Sequence, residues 1–201
     1  MTVGAILLVG GRSRRMGGGL KPLIEFGGRT LFARSVTAMS DARCAPIIAA
    51  GPVLDERAPV RWVREDPPFS GPVAGIAAAM RMLAPGENPK WMLILAGDLP
   101  HVHPVVARLT AAVASDASAP DASDAIVFRA GGHPQWLAGI YRTDALRSAL
   151  ADLGSGAADA SCRALLGGLE IAWLTDHDGI TADIDTPADL ARARAALEEE
   201  S

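Results

Sequence analysis

The chain has 201 residues, 49% apolar and 21% charged, which is too much apolar material for a disordered chain and enough to fill one domain's core. Lys and Arg number 19 against 23 Asp and Glu, a formal charge of −4, which argues against a duplex-binding surface and requires any anionic ligand to find a locally basic site. Two cysteines, Cys44 and Cys162, form neither a disulfide framework nor a zinc motif, and no apolar run reaches the roughly 18 residues of a membrane span.

In chain order, Val3 to Val9 is apolar without alternation, as in a strand covered on both faces. It is short and has no basic residue before it, so it reads as a buried strand rather than a signal peptide. Glycines and arginines fill Gly10 to Gly19, which cannot be a regular element. Thr30 to Met39 has a capping residue and helical apolar spacing at Leu31, Val36 and Met39. Pro46–Ala50 and Val60–Val63 read as short strands. Val73 to Leu83 is a helix of small residues with Pro72 well placed at its start. Trp91–Leu95 is another buried strand, and Pro104–Ala114 a helix.

Asp116 to Asp124 has loop composition. Strands at Ala125–Phe128 and Gln135–Tyr141 flank Gly131-Gly132. Helices at Asp144–Leu150 and Ser161–Leu166, a strand at Glu170–Leu174 and a helix from Thr186-Pro187 complete the chain. The alternation predicts one α/β domain over residues 1–201: a three-layer sandwich with a mostly parallel central sheet, helices on both faces and a small added hairpin at 125–141. In such sheets ligands bind beyond the carboxyl ends of the strands, which directs attention to the loops after Val9, Ala50, Val63, Leu95 and Tyr141.

The loop after the first strand fails two better-known patterns. A P-loop needs Gly before its lysine and Ser or Thr after it, but Lys21 has Leu20 and Pro22. Neither Gly10-Gly11 nor Gly17-Gly18-Gly19 gives the G-x-G-x-x-G spacing. What remains is still suited to an anion. Adjacent glycines let backbone N–H groups approach a phosphate, and Arg12, Arg14, Arg15 and Lys21 gather four cations in ten residues of an acidic protein.

The pattern L-x-x-G-G-x-S-x-R-M-G-x-x-x-K-x-L resembles the signature loop of nucleotidyltransferases with a Rossmann-like domain, and most resembles the molybdenum cofactor guanylyltransferases. The resemblance implies that Leu8, Val9, Gly10 and Gly11 contact a nucleoside triphosphate while Arg15 and Lys21 act on its phosphates. Two positions depart from the family: Val9 stands for its usual alanine and Leu20 for its usual aspartate. The later motifs follow in family order. Asp66, before Gly71-Pro72-Val73-Ala74-Gly75, is the candidate for the base or ribose, with Gly71 allowing close approach.

Asp98, in Ala96-Gly97-Asp98-Leu99-Pro100, is a hard-oxygen ligand suited to Mg2+. Asp185 is either a second metal ligand or a cap for the last helix, with Asp183 the weaker candidate. His133 matches an H-P pair that lines the acceptor pocket or holds a loop. His101 and His103 read as surface loop histidines, and Trp136, Trp173 and Met80 as core.

The implied activity is Mg2+-dependent transfer of GMP from GTP to molybdopterin, forming a guanine dinucleotide cofactor and pyrophosphate. The alternatives are a cytidylyltransferase for the same acceptor, a guanylyltransferase for another phosphorylated precursor, and a non-catalytic nucleotide sensor or cofactor carrier. The implied setting is cytoplasmic, without nucleic acid or membrane partners, as a monomer or small homo-oligomer that meets molybdoenzymes or other cofactor-synthesis proteins.

Overall fold

A computed structural model describes residues 2–11, 19–114 and 123–199. Nine strands appear among them: β1 (Val3–Leu8), β2 (Glu25–Phe26), β3 (Arg29–Thr30), β4 (Ile47–Ala50), β5 (Arg61–Val63), β6 (Trp91–Ala96), β7 (Ala125–Ala130), β8 (His133–Arg142) and β9 (Ile171–Thr175). The helices are α1 (Leu31–Asp41), α2 (Pro72–Arg81), α3 (Val102–Ala114), α4 (Thr143–Leu153), α5 (Cys162–Leu166) and α6 (Pro187–Glu199), with short 3₁₀ turns at Lys21–Leu23 and Gly154–Ala157.

Seven strands form one sheet in the order β5-β4-β1-β6-β8-β7-β9. All neighbours pair in parallel except β8, which is antiparallel to both β6 and β7. The sheet is therefore mostly parallel, as expected. The continuous apolar run of β1 is explained by its place between β4 and β6, with layers of helix above and below. On one face α1 and α3 pack with Phe32, Met39, Val105 and Leu109 against Leu7, Leu93 and Leu95. On the other, Ile76 and Met80 of α2, Leu146 of α4 and Leu165 of α5 pack against Ile6, Ile48, Ile94 and Val127.

The hairpin expected at 125–141 forms, but inside the main sheet rather than beside it: β8 pairs along β6 and separates it from β7. A different pair, β2 and β3, makes the small separate hairpin around Gly27-Gly28. Both glycines have positive φ, +59° and +74°, which the tight connection requires. Helix α6 covers it, with Leu190, Ala193 and Leu197 against Phe26, Leu31 and Ile184. No helix of the described residues is long and apolar enough to cross a membrane.

The chain runs outward from β1 to β4 and β5, then returns through α2 to β6 on the other side of β1. The crevice at this reversal, beyond the carboxyl ends of β1 and β6, is where an open α/β sheet offers its ligand site.

Candidate active site

A cleft of about 710 Å³ opens at that reversal. Leu8, Val9, Gly10 and Gly11 line it after β1, Ala50 after β4, Gly71, Pro72 and Gly75 at the start of α2, and Ala96, Gly97 and Asp98 after β6. Lys21 enters from the 3₁₀ turn. The loops meet closely. The N–H of Gly97 donates to the Leu8 carbonyl at 2.9 Å, and a Cβ at Gly97 would stand 2.9 Å from that same oxygen. Glycine here lets the β6 loop lie against the β1 loop.

Lys21 and Asp98 meet on the cleft lining. Lys21 Nζ donates to Asp98 Oδ2 at 2.9 Å and also to Asp185 Oδ1. The side chains of Lys21 and Asp98 are each 16% exposed, so this pair is only partly screened by water. Burial opposes the charge on Lys21, but its bonds to Asp185 and Asp98 outweigh that and raise its pKa above the ordinary lysine value. Carboxylate oxygens of Asp98, Asp183 and Asp185 lie within 4.8 Å of one another. Asp183 is exposed, yet its carboxyl is pushed up, by partial desolvation first and then by the charges of Asp98 and Asp185.

Three hard-oxygen donors this close, with an ammonium held against two of them, are a donor set that fits Mg2+. Mg2+ favours one or two carboxylates plus phosphate oxygens and water, and Asp98 with Asp185 or Asp183 can supply that share.

The role of Asp185 is decided by its neighbours. Asp189 Oδ2 accepts from the Thr186 N–H at 2.7 Å, and Thr186 Oγ1 accepts from the Asp189 N–H at 3.2 Å. This reciprocal capping box closes the start of α6, so Asp185 is not needed as the cap and its carboxylate goes to Lys21. The segment is carried to Asp98 by the backbone, since the Ile184 N–H donates to the Asp98 carbonyl at 3.1 Å.

Asp176 shapes the turn that delivers this segment, a role that none of the motifs above points to. Its carboxylate accepts from the N–H of Ile180 at 3.1 Å, the N–H of Thr181 at 2.9 Å and Thr181 Oγ1 at 2.6 Å. The signal was available in Asp176-x-x-Gly179-x-Thr181, an acid beside a turn glycine. Burial disfavours its charge, but the donors of Thr181 and Ile180 prevail and depress its pKa. The ionised form therefore stabilises the fold above the ordinary carboxylate range, and that contribution is lost as pH falls through the depressed value. Asp176→Ala is expected to lower stability by about 1–3 kcal/mol at pH 7, since it strands two backbone donors, and to lose less at acid pH. Urea unfolding at pH 7 and pH 3 checks this; equal stability of variant and wild type at pH 7 contradicts it.

Other expected residues are placed less centrally. Asp66 is exposed and does not line the cleft; its neighbour Glu65 does, with Oε1 accepting from the Phe69 N–H at 2.9 Å. Both residues follow the end of β5, in the turn that leads to α2, and that turn presents Glu65 rather than Asp66 to the cleft. Arg15 lies outside the described residues. His133 is exposed at the start of β8, away from the cleft lining, and His101 packs edge-on against Phe26 with ring centres 5.8 Å apart. Met80 is buried as expected, whereas Trp136 and Trp173 are partly buried and pack edge to face.

Arg163 is exposed and does not reach the lining, which instead takes Leu137 and Asp159 from that side. Burial pushes the thiols of Cys44 and Cys162 up to about 11, so neither is poised as a nucleophile.

Comparison with known proteins places the fold and the family. A family model described as a MobA-like NTP transferase domain matches residues 5–172. A molybdenum cofactor guanylyltransferase of Bradyrhizobium sp. is 34% identical over 146 residues, covering 69% of this chain and 66% of that protein. One from Rhodopseudomonas palustris is 35% identical over 162 residues, covering 74% and 71%. Among solved structures, molybdopterin-guanine dinucleotide biosynthesis protein A from Archaeoglobus fulgidus superposes with a TM-score of 0.71 at 22% identity, covering 99% of this chain and 100% of that one. A 2-C-methyl-D-erythritol 4-phosphate cytidylyltransferase from Thermus thermophilus gives 0.70 at 19% identity, covering 98% and 100%. These two likenesses speak for the fold alone.

Proposed function

Because the chain belongs to the MobA-like NTP transferase family, we propose that it transfers GMP from GTP to the phosphate of molybdopterin, with Mg2+ as its metal and residues 1–201 acting as one catalytic domain. The curated relatives named molybdenum cofactor guanylyltransferase support this substrate pair. The observation that carries it is the meeting of Lys21, Asp98 and Asp185 at a cleft floored by Leu8 to Gly11.

In the reaction an acceptor phosphate oxygen bonds to the α-phosphorus of GTP. The bond from that phosphorus to the bridging β-oxygen breaks, and its electron pair leaves with pyrophosphate. A phosphate monoester has its second pKa near 6, so the acceptor is already a competent anion at neutral pH and no strong base is required. The difficulty is to bring two anions into line, and positioning and charge answer it. The N–H groups of Gly10 and Gly11 face the phosphates, and Lys21 swings from its carboxylates to the departing pyrophosphate. Arg15 takes the same task on the strength of the motif. Asp98 and Asp185 would hold Mg2+, which neutralises phosphate charge when bound.

The decisive experiment measures pyrophosphate release from GTP, Mg2+ and molybdopterin. Release that needs all three is expected. Release with CTP but not GTP would replace the guanylyl reading with the cytidylyl one, and nucleotide binding with no release would favour a sensor or carrier.

A further inference from the structure

Phe69 stands apart from the other phenylalanines. Phe26, Phe32 and Phe128 are 1%, 3% and 0% exposed, whereas Phe69 is 48% exposed on the lining of the cleft. An exposed phenyl ring forgoes the gain of burial. Its backbone sits at φ +69°, in the left-handed region where a bulky side chain is strained.

The turn around it is held from several sides. Glu65 Oε1 accepts from the Phe69 N–H, Ser70 Oγ donates to the Pro67 carbonyl at 2.7 Å, and the Asp159 N–H donates to the Ser70 carbonyl at 2.8 Å. The Arg64 guanidinium lies 5.5 Å from the ring centre, over one face. Strain fixed by three hydrogen bonds, at a ring that gains little from the core, is the pattern of a ligand clamp.

We infer that Phe69 is the stacking platform for the base of the nucleotide, with the Arg64 guanidinium packed on the ring. The inference rests on the nucleotidyltransferase reading and adds the residue that grips the base. Phe69 follows β5, at the edge of the sheet, and shares its wall with Gly71 and Gly75, while Lys21 and Asp98 follow the central strands β1 and β6. The cleft thus sets an aromatic ring on the edge-strand side and the one described lining cation, Lys21, on the central-strand side, the order of base and phosphates in a nucleoside triphosphate. Every base presents a π-face, so Phe69 sets affinity rather than the choice of base.

The test is equilibrium binding of GTP, CTP and inorganic tripolyphosphate, each with Mg2+, to the wild type, Phe69→Ala and Phe69→Trp. Phe69→Ala is expected to weaken whichever nucleotide the wild type binds by about tenfold to a hundredfold, to leave tripolyphosphate unchanged, and to raise KM for the nucleotide with little change in kcat. Phe69→Trp is expected to restore affinity, with quenching on binding beyond that of the four native tryptophans. A folded Phe69→Ala with wild-type nucleotide affinity overturns the inference and leaves the transferase reading standing. Equal weakening of nucleotide and tripolyphosphate also overturns it. A wild type that binds no nucleotide overturns both readings. Should Phe69→Ala fail to fold, the quenching of Phe69→Trp decides: its absence counts against stacking.

Discussion

Lys21→Ala is expected to cut turnover about a hundredfold or more while the protein still folds. Losing one charged contact to a developing anion costs on the order of 3 kcal/mol in the barrier. Lys21 is the cation that the described cleft lining places against Asp98, and its raised pKa keeps it charged throughout the neutral range. A second effect reports the ion pairs of Lys21 with the carboxylates, apart from its part in turnover. Without the ammonium, the carboxylates of Asp98, Asp183 and Asp185 repel one another. The metal-free variant should therefore melt lower than the wild type, by about 1–3 kcal/mol of stability, and should recover more on adding a divalent cation. In the wild type the lysine contribution is present below the ordinary lysine pKa and fades only as pH rises through the raised value, so the gap between the proteins should stay constant from pH 6 to pH 9. Melting curves with and without Mg2+, beside steady-state pyrophosphate release, read both effects. Near-wild-type turnover by Lys21→Ala would remove Lys21 from the mechanism.

Asp98→Asn should lower turnover by about a hundredfold to a thousandfold and raise the divalent concentration needed for half-maximal rate. Asparagine keeps the size and removes the charge. Asp98 is held by two backbone bonds, from Gly97 to Leu8 and from Ile184 to its own carbonyl, so its carboxylate is fixed relative to β1. Asp185 is 47% exposed on a loop and can be replaced in part by Asp183. Asp185→Asn should therefore cost less than Asp98→Asn, and the double variant Asp183→Asn/Asp185→Asn more than either change alone in that pair. Divalent titrations of the rate give the ranking. An Asp98→Asn protein with the wild-type metal requirement would contradict the proposed ligand set.

Much of this was legible in the chain. The apolar runs of β1 and β6 and the small-residue face of α2 are local patterns, and each ended within a few residues of its expected boundary. The β2–β3 hairpin shows no strand pattern in the chain because its strands have two residues each, although Gly27-Gly28 is a strong turn signal. The way β8 bulges was not legible at all. Val127 pairs with Gly139 but Phe128 with Gln135, so Trp136 to Ala138 have no partner on β7, although Ala138 still pairs with Leu95 of β6, and Leu137 lies on the cleft lining. Tyr141 donates its hydroxyl to the Trp136 carbonyl at 2.7 Å, and Gly139 leaves room for that ring. Nothing in the local alternation of residues announces such a bond.

The sequence by itself determined the order of elements, the glycine-rich loop, and Lys21 and Asp98 as the residues to watch, because periodicity and strand-end loops are short-range properties. The tertiary structure decided which carboxylates share the site. Lys21 meets Asp98 and Asp185 across 77 and 164 positions of chain, and only the packing of α6 on the β2–β3 hairpin, together with the Ile184–Asp98 backbone bond, brings them together. It likewise chose Glu65 over Asp66 for the cleft and gave the capping of α6 to Thr186 and Asp189, since each outcome depends on where a neighbouring donor stands in space rather than on the spacing of residues along the chain.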